Sequence, residues 1–203
     1  MIAIIDYGLG NLRSISNALT SLNIAHEITN NPSKIEKADK LILPGVGAFK
    51  TGMKNLRDLG VIDILNKEVL TKKKPVLGIC LGMQLMCQKS YEGGVCDGLG
   101  WIDAEVVKFN FPGNNLRIPH VGWNDTKCDS SCPILSSAGE KQTFYFVHSY
   151  YPNISDPSII KGVCNYGHDF CAILQKDNIF ATQFHPEKSQ YEGLEILRKF
   201  NEV

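Results

Sequence analysis

Gly78-Ile79-Cys80-Leu81-Gly82 decides how the chain is to be read. Pro75 to Ile79 is a short apolar run of strand type, and Met83-Gln84-Leu85-Met86 is helical in pattern. The five residues therefore form a strand-turn-helix corner. A nucleophile between two glycines at such a corner is the nucleophile-elbow pattern, with sulfur in place of oxygen. The glycines have a steric reason: the corner is sharp, and a Cβ on either flank would collide with neighbouring backbone. Cys80 falls at a helix N-terminus, where the dipole and free N–H groups favour thiolate over thiol. The Leu81 amide would point at the same spot, ready to donate to an oxyanion. A small buried cysteine in a glycine-containing turn is the plainer reading of the same residues.

Working outward, the N-terminal half alternates short strands with helices. Ile2 to Ile5 reads as a buried strand, followed by the turn-rich Asp6-Tyr7-Gly8-Leu9-Gly10-Asn11. Leu12, Ile15, Leu19 and Leu22 recur at three and four, which predicts an amphipathic helix. His26 to Ile28 is a weak strand. Lys40 to Leu43 is a better one, stopped by Pro44-Gly45-Val46-Gly47. Val61 to Leu70 is helical, with Ile62, Leu65 and Val69 on one face. This alternation predicts a parallel sheet with helices on both faces. From Trp101 the character changes: Trp101 to Phe109, Thr143 to Val147, Ile159 to Cys164, Cys171 to Lys176 and Ile179 to Phe184 are strand-like with short connections, which suit antiparallel pairing. Glu192 to Phe200 is a last helix with Leu194, Ile196, Leu197 and Phe200 as its stripe. No repeat or linker interrupts the 203 residues. The expected fold is α/β in one domain over residues 1–203: a mixed, largely parallel central sheet flanked by helices, with antiparallel strands in the C-terminal half.

Composition removes several function classes. Apolar residues make up 43% and charged residues 21%, which disfavours disorder and fibrous repeats. Twenty-one Lys plus Arg balance twenty-one Asp plus Glu, so the electrostatic term that dominates nucleic-acid affinity is missing. Lys72-Lys73-Lys74 reads as a solvated helix end. The longest apolar runs fall far short of the roughly 20 residues a bilayer span requires. Asp6 interrupts the opening apolar run before any signal-type cleavage region, so a cytoplasmic protein with seven reduced cysteines is expected. Cys128 and Cys132 resemble half a zinc site without the other half, and no metal is expected there.

A thiolate needs a base, and His185-Pro186-Glu187 offers one. In an extended segment residues two apart face one side, and Pro186 disfavours a helical conformation at His185. His185 and Glu187 could then converge on Cys80, with Glu187 holding one ring nitrogen and the other facing sulfur. A loop histidine beside a solvated glutamate is the alternative. The tripeptide follows the apolar strand Ile179 to Phe184, and strand ends are where α/β sheets present their ligands.

Gly-Ile-Cys-Leu-Gly-Met-Gln at 78–84 and Phe-His-Pro-Glu-Lys-Ser at 184–189 together resemble the class I (triad-type) glutamine amidotransferases. More narrowly, the chain is similar to the glutaminase subunits of imidazole glycerol phosphate synthase. The resemblance runs through Ile5 to Asn11, Leu43 to Phe49, Pro119 to Asn124, Tyr145 to Tyr151 and Ala181 to Ser189, in order. It implies that Cys80 attacks the carboxamide of L-glutamine, that His185 shuttles the proton and that Glu187 orients His185. The implied oxyanion donors are the backbone N–H groups of Val46 and Leu81. The implied glutamine contacts are Gly47, Gln84, Glu92, His148, Ser149 and Tyr150. From the residues alone, Glu92 could equally be a solvated carboxylate and His148 a packed structural histidine. The Pro44 to Gly47 turn lacks the Lys-Ser or Lys-Thr ending of a phosphate loop.

The resemblance also implies a separate (β/α)8-barrel synthase subunit, as a heterodimer, that receives the ammonia, and no cofactor or metal. In the histidine pathway the acceptor is a phosphoribulosyl-formimino imidazole nucleotide. Two departures keep a second acceptor class open. Val121 stands where histidine-pathway proteins commonly carry Met or Ile, and Trp101 looks more like relatives that amidate surface-polysaccharide or nonulosonic-acid sugar precursors. Trp123 reads as a core residue or an interface anchor; His26 and His168 read as surface or turn residues, and His120 as bordering the site. Two further readings compete. One is a dienelactone-hydrolase-type cysteine hydrolase, whose acid would come before the histidine, with Asp97, Asp103 and Asp125 as candidates. The other is a silent, partner-binding subunit.

Overall fold

The first strand sets the layers. Ile2 and Ile4 point into one core and Ala3 and Ile5 into another, so β1 (Ile2–Ile5) is buried on both faces. The computed structural model describes residues 1–113, 115–135 and 141–203. Beside β1 lie β2 (His26–Thr29) and β3 (Lys40–Leu43), then β4 (Val76–Ile79), all parallel. The helices between them are α1 (Leu12–Ser21), α2 (Pro32–Lys37), α3 (Phe49–Asp58) and α4 (Ile62–Asn66). The predicted helix over Val61 to Leu70 is real, but it loosens into a π turn from Lys67 to Thr71. Neither α2 nor α3 was expected from the sequence.

After β4 comes the five-residue α5 (Leu81–Leu85), then β5 (Cys87–Ser90), β6 (Cys96–Asp97), β7 (Ile102–Lys108), β8 (His120–Cys128), β9 (Lys141–His148) and β10 (Tyr150–Ile154). β11 (Ile160–Asn165), β12 (Asp169–Lys176), β13 (Ile179–Thr182) and α6 (Gln190–Glu202) complete the order. The main sheet has nine strands in the order β2-β1-β3-β4-β13-β12-β11-β8-β9. It is parallel from β2 to β13 and antiparallel from β13 to β9. The mixed α/β fold expected from the sequence is present, with a second sheet added to it. That sheet orders its four strands β10-β7-β5-β6.

Two cores flank the main sheet. Residues of α1 and α6 (Ile15, Leu19, Ile196, Leu197, Phe200) cover one face with Ile2, Ile4, Leu77 and Ile79. On the other face, Met53 and Leu56 of α3 and Ile102, Ala104 and Val106 of β7 meet Ala3, Leu41 and Leu43. Lys74 corrects the reading of the Lys72 to Lys74 run as a solvated end. Its ammonium pairs at 2.8 Å with the buried Glu68 carboxylate and donates to the Ile35 and Glu36 carbonyls, each at 2.8 Å. All seven cysteines are buried and free. Among the described residues, no helix is long and apolar enough to cross a membrane.

Candidate active site

The seam of the main sheet carries the chemistry. β4 and β13 are neighbouring parallel strands with Thr182 opposite Ile79, so the residues beyond their carboxyl ends come together. Cys80 follows β4 as the N-cap of α5, with φ 52° and ψ −106°. A non-glycine residue held at positive φ is strained, and such strain persists where the surroundings impose it. Here Cys80 N–H donates to the Thr182 carbonyl at 2.8 Å, and the Gln84 N–H to the Cys80 carbonyl at 3.2 Å. The flanking glycines are required. A Cβ at Gly82 would lie 1.8 Å from the Leu43 carbonyl oxygen, and one at Gly78 would lie 2.9 Å from Met83 N.

His185 caps a 3₁₀ turn over Pro186–Lys188. The extended segment expected there is replaced by this turn, yet the expected pair forms. His185 Nδ1 bonds Glu187 Oε1 at 2.8 Å, with both side chains 1% exposed. The turn is held from three sides. His185 N–H donates to the Tyr145 carbonyl at 3.0 Å, Ser189 Oγ donates to the His185 carbonyl at 2.7 Å, and Tyr145 N–H donates to Ser189 Oγ at 3.0 Å. His185 Nε2 is buried and makes no hydrogen bond among the described residues. Burial disfavours a charged ring, but the Cys80 sulfur and the Glu187 carboxylate outweigh it and push His185 up to about 10. Sulfur and carboxylate thus both act on the buried imidazole.

A cavity of about 430 Å³ opens over Cys80. Gly47, Gln84, Glu92, His148, Ser149 and Tyr150, the six implied glutamine contacts, all line it, together with Val46 and Leu81. Pro119, Val147 and Lys188 line it too, and nothing in their spacing singled them out. Glu92 Oε2 accepts from Phe49 N–H at 2.7 Å at the start of α3, so this carboxylate is fixed rather than solvated. His148 Nδ1 bonds the Tyr150 carbonyl at 2.8 Å, and its Nε2 meets His120 Nδ1 at 3.2 Å. Burial pushes His120 down to about 4 and His148 down to about 3, so both rings are neutral at pH 7. His148 is at once packed and part of the cavity wall.

The two implied oxyanion donors are not poised together. Leu81 N–H donates to the Gly45 carbonyl at 3.4 Å. That carbonyl belongs to the same peptide unit as the Val46 N–H. Tyr7 O–H donates to the Pro44 carbonyl at 2.6 Å and anchors the turn one residue earlier. Buried Gln183, missed as a site residue although its block was noticed, brings Nε2 to 3.6 Å from Cys80 Sγ.

The remaining sequence candidates separate cleanly. Val121 and Trp123 are 56% and 48% exposed on the outward side of β8, so Trp123 is not a core residue. Trp101 is buried, and its indole N–H donates to Asn66 Oδ1 at 2.7 Å, so its identity reports packing. His26 bonds Ser16 Oγ at 2.8 Å and His168 bonds the Tyr151 hydroxyl at 2.9 Å, both away from Cys80. Asp97, Asp103 and Asp125 are exposed and Glu187 holds His185, so none of the three candidate acids of a dienelactone-type enzyme serves the histidine. Among the described residues, no cluster of three or more metal-ligating side chains forms.

A strained cysteine elbow paired with a buried His–Glu dyad at a sheet seam is the layout of a triad hydrolase, and the comparisons give it a family. The model for class-I glutamine amidotransferases matches residues 3–202, and the chain belongs to that family. Within it, the chain is similar over its full length to HisH subunits. Imidazole glycerol phosphate synthase subunit HisH 1 of Campylobacter jejuni (strain RM1221) is 53% identical over 200 residues, covering 98% of each chain. Subunit HisH 2 of Pseudomonas aeruginosa is 45% identical over 203 residues, covering 100% of each. A crystal structure of a glutamine amidotransferase superposes with a TM-score of 0.76 at 20% identity, covering 100% of this chain and 98% of that one. At that identity the likeness speaks for the fold alone.

Proposed function

We propose that this chain is the glutaminase subunit of imidazole glycerol phosphate synthase. It hydrolyses L-glutamine to glutamate and ammonia and passes the ammonia to a (β/α)8-barrel synthase subunit in histidine biosynthesis. The observation that carries this is the cavity over Cys80, walled by all six implied glutamine contacts, with the buried His185–Glu187 pair coupled to the sulfur. The full-length similarity to HisH subunits supports the pathway. The family match over residues 3–202 supports one amidotransferase domain, and the cytoplasm is the compartment that suits reduced thiols.

The chemistry runs on this chain's own groups. The Cys80 thiolate attacks the γ-carboxamide carbon, and the carbonyl oxygen becomes an oxyanion. Protonated His185 gives its proton to the amide nitrogen, the C–N bond breaks, and ammonia leaves a γ-glutamyl thioester on sulfur. His185, now neutral, takes a proton from water as the water oxygen attacks the thioester carbon. The C–S bond breaks, and glutamate leaves with the thiolate restored. Glu187 holds the ring in the tautomer that keeps Nε2 toward sulfur. Both tetrahedral states need two amide donors. Rotating the Gly45–Val46 peptide by half a turn withdraws the Gly45 carbonyl from Leu81 N–H and brings Val46 N–H round. Beside the cavity, Val121 and Trp123 form the exposed apolar surface that suits the synthase subunit.

Labelling with a glutamine-like diazoketone tests the site: an adduct on Cys80 that is absent from Cys80→Ala is expected. An adduct on the variant with none on the parent would overturn the assignment. Supplying the chain and its barrel subunit with each acceptor tests the pathway. Ammonia transfer only to sugar precursors would move the protein to surface-sugar amidation.

A further inference from the structure

Gln183 is 0% exposed and follows β13 directly. Thr182 pairs with Ile79 in the parallel ladder, so one step further along both strands sets Gln183 beside Cys80. Its N–H donates to the Ala172 carbonyl at 2.9 Å, which fixes the backbone. A buried carboxamide must find partners for both ends. Gln183 Nε2 donates to Cys80 Sγ at 3.6 Å, and its Oε1 accepts from Gln84 Nε2 at 3.1 Å. Gln84 Nε2 also donates to the Tyr150 carbonyl at 2.9 Å.

The direction of this chain of bonds follows from its far end. The Tyr150 carbonyl can only accept, so Gln84 presents its amide nitrogen there. The second hydrogen on that nitrogen requires an oxygen, which Gln183 supplies. The Gln183 nitrogen is then left facing sulfur. Turning either amide over sets donor against donor or acceptor against acceptor.

We infer that Gln183 is a catalytic hydrogen-bond donor to the Cys80 sulfur, holding the thiolate in line for attack, with Gln84 and the Tyr150 carbonyl keeping the donor aimed. The inference rests on Cys80 being the glutaminase nucleophile. A thiolate accepts a charge-assisted hydrogen bond. An amide N–H stabilises it without handing over a proton, so Gln183 does not compete with His185 during the cycle. Gln84 and Tyr150 also line the glutamine cavity, which ties the aim of the donor to the walls that hold substrate.

The test is the pH profile of Cys80 alkylation by iodoacetamide in the full chain, where the thiolate displaces iodide from the methylene carbon. Gln183→Met keeps the volume and removes the donor. The alkylation profile should move up by about one pH unit, so that the rate on its rising limb slows about tenfold. Gln183→Glu should move it at least as far, because a carboxylate opposes a neighbouring thiolate. Profiles of folded variants that overlay the parent's overturn the proposal. If neither variant folds, the parent itself answers. With ¹⁵N-labelled glutamine side chains, one carboxamide resonance should follow the Cys80 titration and cease to do so in Cys80→Ala. If no carboxamide follows it, the proposal fails. The diazoketone separates the two levels. A parent labelled at Cys80 with an unmoved variant profile removes only the role of Gln183. A parent left unlabelled removes the glutaminase reading beneath it.

Discussion

Replacing Glu187 by Gln removes a charge from a buried pair while keeping its shape. Oε1 bonds His185 Nδ1 at 2.8 Å, and both side chains are 1% exposed, so solvent does not screen the interaction. A hydrogen bond to a charged group contributes about 1.5–3 kcal/mol. The ring needs that support most while it carries the proton destined for ammonia. At about 1.4 kcal/mol per decade, kcat should fall roughly 10- to 150-fold. KM should change little, because Glu187 does not line the glutamine cavity. Ammonia release measured in the presence of the synthase subunit gives both constants. A kcat within about twofold of the parent's would refute an orienting role worth that energy.

The same substitution carries a pH signature with a definite sign. Burial opposes the charged ring, but Cys80 and Glu187 raise His185 from 6.5 to about 10. A raised folded-state value means that protonated His185 adds stability which is complete below about 6.5 and is lost as pH climbs through about 10. Glu187→Gln takes away one of the two partners that raise it, so part of that stability goes from the neutral range. The gap in Tm between parent and variant should therefore be widest near neutrality and narrow as the pH passes about 10. A gap of constant size over that interval would mean that the carboxylate is not coupled to the ring.

Gly82→Ala sets a Cβ 1.8 Å from the Leu43 carbonyl oxygen, a backbone atom that cannot swing aside. A loss above about 3 kcal/mol is expected, and a parent-like Tm would refute the steric account of the elbow. Tyr7→Phe deletes the buried donor held 2.6 Å from the Pro44 carbonyl. It should lower stability by about 1–3 kcal/mol in denaturant titration, and an unchanged midpoint would show that the bond anchors nothing. Trp123, 48% exposed, should tolerate Ala with stability within about 0.5 kcal/mol. Affinity for the synthase subunit, measured by calorimetry, should fall at least about tenfold; equal affinity would move the interface elsewhere.

The strands β1, β3 and β4 were legible because strands buried on both faces are short, nearly continuous apolar runs bounded by turn residues. α3 was not legible for a physical reason. Its buried residues Phe49, Gly52, Met53 and Leu56 keep helical spacing, but one of the four is a glycine. A Cβ there would lie 3.1 Å from the Leu85 side chain, so the helix buys close packing on α5 at the cost of a hydrophobic signal. α2 left a local trace in Asn31-Pro32, where the Asn31 side chain accepts from Ser33 N–H and Lys34 N–H. β8 hid behind outward polar residues, since Asp125 and Lys127 alternate with buried Thr126 and Cys128. Lys74 read as solvated because its partner Glu68 lies on a turn of helix that only the fold brings underneath it. In the site, the residues of the Cys80 and His185 motifs were legible from type and spacing. Gln183, Val147 and Lys188 lie inside the quoted blocks, but their place at the site was not legible, because it depends on which strand lies beside which.

That dependence on neighbouring strands also sets the state of the Leu81 amide, a donor the proposed mechanism needs. An amide already donating to a carbonyl has nothing left for a developing negative charge, and Leu81 N–H is held in this way by Gly45. The obstruction is one peptide unit wide. Tyr7 fixes the Pro44 carbonyl on one side, and Gly47, at φ 106°, absorbs an awkward backbone on the other. A rotation at this corner would therefore fall on the Gly45–Val46 peptide. A Cβ at Gly45 would meet the Tyr7 hydroxyl at 2.4 Å and Leu81 Cβ at 2.7 Å, so a side chain there would displace the corner. Val46 is 38% exposed at the rim of the cavity, so on the proposed mechanism this peptide lies where a docking subunit could reach it. On the proposed mechanism, a turn of that one peptide would add both donors at once and would couple ammonia release to the presence of a partner able to receive it.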